Sequence, residues 1–210
     1  MKKYWSILLV LTTLFLITGC TAVRIDTDSI DNTINVVLSK NNKLYNRVGK
    51  GYKYYVPRGV NYIDTDEFND KLYSNGNYYY LYIDAISYYY KEENDHEYQK
   101  DSYYKRDLDI NGKKGYVEIL KLDNNQYYIQ FMYNYAKIEA IVKKDSINEV
   151  ILNSSYILST VKFNDNVIRI MLDADYFTNK EEKYDIFEDN KAKDITTNFL
   201  DYNESEEKEK

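Results

Sequence analysis

Paired carboxylates and a single histidine are the residues of this chain that could perform catalysis. Asp64/Asp66 and Asp173/Asp175 are two such pairs, and glycoside hydrolases use a carboxylate pair as acid, base or nucleophile. The chain holds 34 acidic residues, however, so close pairs also arise by chance. His96 is the only histidine and stands among charged residues, which predicts a solvated loop and disfavours histidine triads and zinc hydrolase sites. We therefore predict no enzymatic activity, no metal and no cofactor.

The segment from Asp107 to Glu118 has a spacing similar to that of an EF-hand calcium loop. Oxygen-bearing side chains stand at its positions 1, 3, 5 and 12, and Gly112 stands at position 6. The flanking residues alternate as strands do, however, and Asn111-Gly112 is a strong signal for a two-residue hairpin turn. Lys114 also places a positive charge where that family usually has an aliphatic residue. The sequence thus favours a β-hairpin, with calcium binding as the alternative.

Tyrosine clusters are the remaining candidates for a functional surface, since the chain has 26 tyrosines. Side chains alternate along a strand, so Tyr78, Tyr80 and Tyr82 would share one face. Exposed rings offer rigid contact area with a hydrogen-bonding tip, which makes this a possible binding face for sugars, peptides or hydrophobic partners. The alternative is that these tyrosines only serve the packing of a strand.

Charge limits the class of partner. The formal net charge is −6, and residues 176–210 contain 11 acidic and 6 basic residues. The rest of the chain is mildly acidic and shows no basic stripe. Because nucleic-acid binding depends on neutralising phosphates with lysine and arginine, we expect no nucleic-acid partner. The acidic C-terminal segment has few apolar residues and is expected to be partly disordered.

Hydrophobic periodicity indicates the elements that would position these residues. Helical spacing predicts helices over 29–40 and 146–161, and Ser146 and Glu149 have capping-box spacing at the start of the second. Alternation of period two predicts strands over 52–56, 60–63, 78–83, 85–90, 104–110, 116–122, 127–133, 136–142 and 167–172. The expected fold class is α+β: a single domain with an antiparallel meander sheet and at least two covering helices.

This order of elements resembles the PsbP-type fold. In that fold a strand ending near Pro-x-Gly opens the domain, and a late helix covers the sheet. Here Val56-Pro57-Arg58-Gly59 and the helix over 146–161 carry the likeness. The resemblance implies an architecture and no single function.

The first twenty residues contain the parts of a secretory signal peptide. Lys2 and Lys3 give a positive start, and residues 7–17 form an apolar run that only two threonines interrupt. The run is too short for a comfortable membrane span, which needs about 20 residues. The segment therefore predicts export with cleavage.

The end of this signal, Ile17-Thr18-Gly19-Cys20, resembles the lipobox of bacterial lipoproteins. The resemblance implies diacylglyceryl transfer to the Cys20 sulfur, cleavage between Gly19 and Cys20, and anchoring in the lipid bilayer by acyl chains such as palmitate. Cys20 is the only cysteine, so no disulfide competes for its thiol. Two acyl chains suffice for stable anchoring. The alternative is an ordinary signal peptide with an incidental cysteine.

These predictions divide the chain into a signal peptide at 1–19, a lipidated cysteine and polar tether at 20–28, a globular domain at 29–175 and an acidic segment at 176–210. The expected location is the extracytoplasmic face of the cell membrane. The favoured function is a non-enzymatic module that binds an envelope protein or ligand through the tyrosine face or the hairpin tips. The alternatives are an accessory factor for assembly or export of a membrane complex, and a hydrolase that attacks envelope polymers with its carboxylates.

Overall fold

The computed structural model describes residues 30–66, 68–92 and 95–174. The signal peptide, Cys20, the tether and the segment 176–210 lie outside the described residues, so the predictions made for them remain predictions. The fold class agrees with the sequence, because strands and helices combine into an α+β architecture.

Ten strands and four helices make up the described part of the chain. The strands are β1 (Arg47–Val48), β2 (Tyr52–Tyr54), β3 (Asn61–Asp66), β4 (Asn69–Ser74), β5 (Asn77–Ile83), β6 (Tyr104–Ile110), β7 (Lys113–Lys121), β8 (Gln126–Tyr133), β9 (Ala136–Lys143) and β10 (Lys162–Phe163). The helices are α1 (Ile30–Leu38), α2 (Ala85–Tyr90), α3 (Ile147–Thr160) and α4 (Asp165–Asp173).

A seven-stranded antiparallel sheet forms the body of the fold. Its strand order is β3-β4-β5-β9-β8-β7-β6, so the predicted meander from β6 to β9 is confirmed. A second meander, β3 to β5, adds to it through the pairing of β5 with β9. Strand β4 was not expected from the sequence, although Asn75-Gly76, with both φ angles positive, is the same kind of hairpin turn as Asn111-Gly112.

Helices α1 and α3 cover one face of this sheet, which we call the inner face. Helix α3 packs on β8 and β9, and α1 packs on α3. Phe131 and Ile138 of the sheet, and Val150 and Ile151 of α3, are fully buried. Burial of each such side chain contributes about 1.5–3 kcal/mol. Both predicted covering helices are therefore present.

A small sheet of order β1-β2-β10 lies against the core through Tyr52 and Tyr54, which are buried. The predicted strand over 52–56 ends earlier than expected, at Tyr54. Beyond it, the Asn46 side chain replaces a strand partner, because its Oδ1 accepts from the Val56 N–H at 2.7 Å and its Nδ2 donates to the Val56 carbonyl at 2.9 Å.

The strand predicted over 85–90 is wrong, since these residues form helix α2. Asp84 caps it, with Oδ1 accepting from the Ser87 N–H at 2.9 Å. Lys91 ends it in the left-handed region at φ 59°. The cap and the left-handed residue outweigh the strand preference of the aromatic residues between them.

The strand predicted over 167–172 is also wrong, because these residues belong to helix α4. The Asn164 side chain caps it by accepting from the Val167 N–H at 3.4 Å. Of the helix residues only Ile168 is fully buried. The apolar run therefore covers the end of the domain as a helix and does not cross its core as a strand.

The capping box predicted for α3 does not form. Ser146 has helical backbone angles and makes no capping bond with its side chain. Glu149 instead accepts from Ser74 Oγ at 3.2 Å and from Asn75 Nδ2 at 2.7 Å. This carboxylate thus ties the start of α3 to the β4–β5 hairpin.

Candidate functional site

The two ends of the sheet differ in the turns and helices that lie there. Helix α1 begins beside the start of β6, where Tyr104 Oη donates to Asp31 at 2.9 Å, and it finishes beside the β6–β7 turn, where Asn111 Nδ2 donates to the Leu38 carbonyl at 2.9 Å. We call the end of the sheet at this turn the distal end, because it lies away from the point where the chain enters the domain. The β8–β9 turn and helices α2 and α4 lie there too.

A cleft of about 590 Å³ opens at the distal end, and we call it the distal cleft. Its walls are residues 48–53, Tyr88 of α2 and residues 162–167. Gly51 allows the walls to approach, because it has φ +81° and its carbonyl accepts from the Asn164 N–H at 2.8 Å. A Cβ at this position would lie 2.9 Å from the Ile168 side chain.

Three lysines, Lys50, Lys53 and Lys162, line the distal cleft. Lys53 and Lys162 are direct partners in the β2–β10 ladder, so both side chains lie on one face. Neither forms an ion pair with a carboxylate of the described residues; the Lys53 ammonium lies 4.1 Å from the centre of the Tyr45 ring. The ladder therefore places two like charges side by side.

Lys113, at the tip of the β6–β7 hairpin, extends this positive region. Burial lowers the pKa of its ammonium, and the positive charge of Lys162 lowers it further. Asn134 joins this hairpin to the residue before Lys162, because its N–H donates to the Lys114 carbonyl at 3.0 Å and its Nδ2 donates to the Val161 carbonyl at 3.3 Å. We call Lys53, Lys162 and Lys113 the lysine strip. It leads from the distal cleft to a second cleft of about 290 Å³, which Lys91, Lys113 and Lys114 line together with Glu92 and Asp95.

Three aromatic rings stand between the two clefts. The Tyr88 ring stacks on Phe163 with a centroid distance of 3.8 Å, and Tyr135 approaches Tyr88 edge-on at 5.7 Å. Tyr88 Oη donates to Asp165 at 2.8 Å. Burial, together with this hydrogen bond and the negative charge of Asp165, raises the pKa of the Tyr88 hydroxyl to about 12. The ridge between the clefts is thus aromatic and held by ring contacts and by the bond to Asp165, and the Lys91 ammonium lies 3.7 Å from the centre of the Tyr88 ring.

The wall of the distal cleft rests on a buried network around Asp70 of β4. Its carboxylate, only 4% exposed, accepts from Tyr52 Oη at 3.3 Å, from Tyr54 Oη at 2.5 Å and from Thr65 Oγ1. Burial, followed by the Asp70 charge, raises the pKa of both tyrosine hydroxyls above their usual range. No local sequence signal indicates this network, because its members come from three separate strands.

The tyrosine face predicted from the sequence lies elsewhere. Tyr78, Tyr80 and Tyr82 are half-buried on the outer face of β5, while the residues between them face the core. The Tyr78 ring lies 5.1 Å from Tyr73, and Tyr80 packs against a small cluster around Leu120 on the same outer face. None of the three lines either cleft. Their role as a binding face stays a prediction.

The EF-hand-like segment is a hairpin, as the sequence favoured, with Asp107 opposite Tyr116 in the β6–β7 ladder. Asp107 accepts from Tyr98 Oη at 2.6 Å, and Glu118 accepts from Ser102 Oγ at 2.5 Å and from the Gln99 N–H at 2.7 Å. Within residues 30–66, 68–92 and 95–174, histidine, cysteine and carboxylate side chains form no group of three that could hold a metal ion.

His96 stands in a loop, as predicted, between exposed Asp95 and Glu97, but the predicted solvation of its side chain is wrong. Its side chain is only 17% exposed, because the ring stacks on Tyr116 at 3.7 Å and Nε2 lies 2.8 Å from the Glu118 carboxylate. Residues 95–102 therefore lie against the outer face of the sheet. The sequence offered no signal for this contact, since its partners are 22 residues apart.

The carboxylate pairs do not assemble a site in the described part of the chain. Asp64 and Asp66 are exposed on the edge strand β3, and Asp173 is exposed at the end of α4. Asp175 lies outside the described residues. The carboxylate that lines the distal cleft is Asp165, which holds the Tyr88 hydroxyl.

Comparison with known protein families, with curated proteins and with solved structures finds no match to this chain. The resemblances to bacterial lipoproteins and to the PsbP-type fold accordingly stay predictions from the sequence. Among the described helices, none has both the length and the apolar character needed to cross a membrane.

Proposed function

We propose that this chain is a lipid-anchored, extracytoplasmic binding module without enzymatic activity. The anchor rests on Ile17-Thr18-Gly19-Cys20, on the apolar run before it and on the absence of any other cysteine from the sequence. Lipidation would hold the domain by a short tether over residues 20–28. An extended chain spans about 3.3–3.6 Å per residue, so this tether keeps the domain near the bilayer.

The observation that carries the binding function is the distal cleft with its lysine strip. A concave site with fixed aromatic rings and convergent polar groups is the usual form of a ligand site. It also lies at the end of the sheet away from the first residue of α1. A domain tethered through that residue would present the cleft away from the anchor, toward an envelope partner or ligand.

The anchor is tested by growing cells with labelled palmitate and isolating the full-length protein. We expect label in the membrane-bound protein and none in Cys20→Ser, because the chain offers no second thiol. Thr21→Ser serves as the matched control and should keep the label. An unlabelled wild-type protein whose N-terminal peptide begins beyond Cys20 would contradict the anchor.

Binding at the distal end is tested by a photo-crosslinking amino acid placed in intact cells at Asn166, an exposed residue of the cleft wall. The matched position is Tyr80 on the outer sheet face. We expect a discrete adduct from position 166 and none from position 80. An adduct from position 80 alone would move the binding surface to the tyrosine face, and no adduct from either would contradict the binding module.

A further inference from the structure

The lysine strip is an anomaly in an acidic protein. The chain has a formal net charge of −6, yet Lys53 and Lys162 stand directly opposite each other. Asn134 joins the hairpin of Lys113 to this ladder by donating to the Lys114 and Val161 carbonyls. Like charges that face each other in a ladder destabilise it. Among the described residues no carboxylate pairs with these three ammonium groups. An anionic ligand would remove the repulsion.

Resting on the binding function proposed above, we propose that the lysine strip binds a polyanionic chain with repeated phosphate groups, of the kind found in phosphate-linked polyol or sugar polymers. The ligand would lie across both clefts and the aromatic ridge between them.

The type of cation favours phosphate over carboxylate. Arginine presents a planar fork that pairs with a carboxylate through two bonds, whereas lysine acts as a compact point charge suited to the tetrahedral phosphate group. Within the described residues both clefts are lined by lysines and by no arginine, and Asp165 in the first and Glu92 and Asp95 in the second are the carboxylates beside them. Their positive charge is thus the kind that follows a phosphate, without the geometry that selects a planar acid.

The shape of the site favours an extended ligand over a single ion. Two clefts of about 590 and 290 Å³ flank the ridge, and Lys162 and Lys113 connect them. On the ridge the Phe163 ring lines the distal cleft and stacks on Tyr88, and the Lys91 ammonium lies 3.7 Å from the centre of the Tyr88 ring. Sugars and polyols pack on aromatic side chains, so the spacer between two phosphates would lie against Phe163 while each phosphate lies near lysines.

A flat membrane surface fits the site less well. The cleft is concave, and it lies at the end of the sheet opposite the start of α1, where the tether enters. Anionic headgroups beside the anchor would face the other end of the domain. A soluble or wall-bound polymer reaches the distal end without this conflict.

The test is a titration of the full-length lipidated protein, held in neutral detergent micelles, with fluorescein-labelled poly(glycerol phosphate). We expect saturable binding that weakens as salt is added. The double variant Lys53→Gln/Lys162→Gln should bind at least about tenfold more weakly. The control Lys105→Gln/Lys121→Gln removes the same charge from exposed positions on β6 and β7 and should change affinity less than about twofold.

Three arms separate the alternatives. An equal loss in the control variant would show attraction to overall charge and overturn the site. Equally tight binding of poly-glutamate, lost in the same double variant, would overturn phosphate in favour of an acidic peptide. Tighter binding to phosphatidylglycerol vesicles would overturn the polymer in favour of a lipid surface. Circular dichroism and urea unfolding verify that both double variants are folded.

The proposed function and the ligand class fail in different ways. If no anionic probe binds while Asn166 still gives its crosslink in cells, the phosphate polymer is wrong and the binding module stands. If the probe binds but the crosslink is absent, the chemistry of the strip is right and its use in the cell is wrong.

Discussion

Asp70 and the lysine strip both lie at the distal end, but the fold neutralises only one of them through hydrogen bonds. Asp70 is buried and receives hydrogen bonds from three hydroxyl groups. The lysines of the strip oppose one another in a ladder and receive no carboxylate from the described residues. A buried charge is tolerated when it is fully hydrogen-bonded, so Asp70 serves the fold itself. The lysines of the strip do not stabilise the fold in this way, which is consistent with a role in binding a ligand.

Glu118, on the outer face, is a second buried carboxylate that can be compared with Asp70. It is only 3% exposed and accepts from His96, from Ser102 and from the Gln99 N–H. Its donors come from a loop, whereas those of Asp70 come from strands. The two carboxylates therefore stabilise different things: Asp70 joins the small sheet to the large one, and Glu118 holds the 95–103 connection on the sheet.

The largest effect is expected from Asp70→Ala. The change leaves buried hydroxyl groups of Tyr52 and Tyr54 without an acceptor, and hydrogen bonds to a charged group contribute about 1.5–3 kcal/mol each. We expect the free energy of unfolding in urea to fall by about 4 kcal/mol.

Two further variants serve as controls for the stability of Asp70→Ala. Asp70→Asn keeps one acceptor and should lose about half as much, so it remains measurable if Asp70→Ala does not fold. Asp66→Ala removes an exposed carboxylate from the neighbouring strand and should change stability by less than about 0.5 kcal/mol. Equal effects of Asp70→Ala and Asp66→Ala would contradict the conclusion that the buried, hydrogen-bonded carboxylate of Asp70 stabilises the fold.

A smaller loss is expected from Glu118→Ala, because the loop donors that it leaves can turn toward water. We expect about 2 kcal/mol in the free energy of unfolding, together with faster amide hydrogen exchange at Gln99. Glu97→Ala, an exposed acid on the same connection, should leave both measurements unchanged. Unaltered protection of the Gln99 amide in Glu118→Ala would show that the carboxylate does not hold the connection.

The fold could be read from the sequence where the local signals agreed with one another. Alternation and the Asn111-Gly112 turn predicted the β6–β9 meander correctly. The failures came where a single capping residue opposed the composition of a segment. Asp84 and Asn164 start helices α2 and α4 within stretches whose aromatic and β-branched residues favour strands. Both helices lie at the distal end, so the sequence misjudged the elements that build the cleft.

The lysine strip could not be predicted for a different reason. Lys53, Lys113 and Lys162 are far apart in the sequence, and no motif relates the three to one another. They meet because β10 returns to pair with β2 and because the β6–β7 hairpin reaches the same end of the sheet. A search for a basic stripe along the sequence misses charges that only the strand pairing brings together.

Alkaline pH tests the hydrogen bonds that Tyr52 and Tyr54 donate to Asp70. Burial and Asp70 raise the pKa of the Tyr52 and Tyr54 hydroxyls, so in the folded state these groups stay protonated while tyrosines of the unfolded chain ionise near their ordinary pKa of about 10. Stability is therefore complete below pH 10 and falls as pH rises. Each such tyrosine should cost about 1 kcal/mol between about pH 10 and 11.

Urea unfolding at a series of pH values measures this loss. Tyr54→Phe removes one of the two groups, so it should lower stability at neutral pH but flatten the alkaline decline. Tyr45→Phe changes a tyrosine that is 53% exposed and should leave the slope as it is. An alkaline slope that is the same in all three proteins would contradict the protected state of the buried hydroxyls.

The smallest change in stability, and the most direct contrast with Asp70, is expected from Lys162→Glu. The substitution converts the like-charged pair with Lys53 into a cross-strand ion pair and relieves the repulsion of Lys113, so stability should rise by about 0.5 kcal/mol. The same change should abolish binding of poly(glycerol phosphate), because it places a negative charge at the centre of the strip. Lys121→Glu, at an exposed position, is the matched control and should alter neither property. A variant that is less stable and still binds would mean that Lys162 serves the fold, as Asp70 does, and that the lysine strip is not a ligand site.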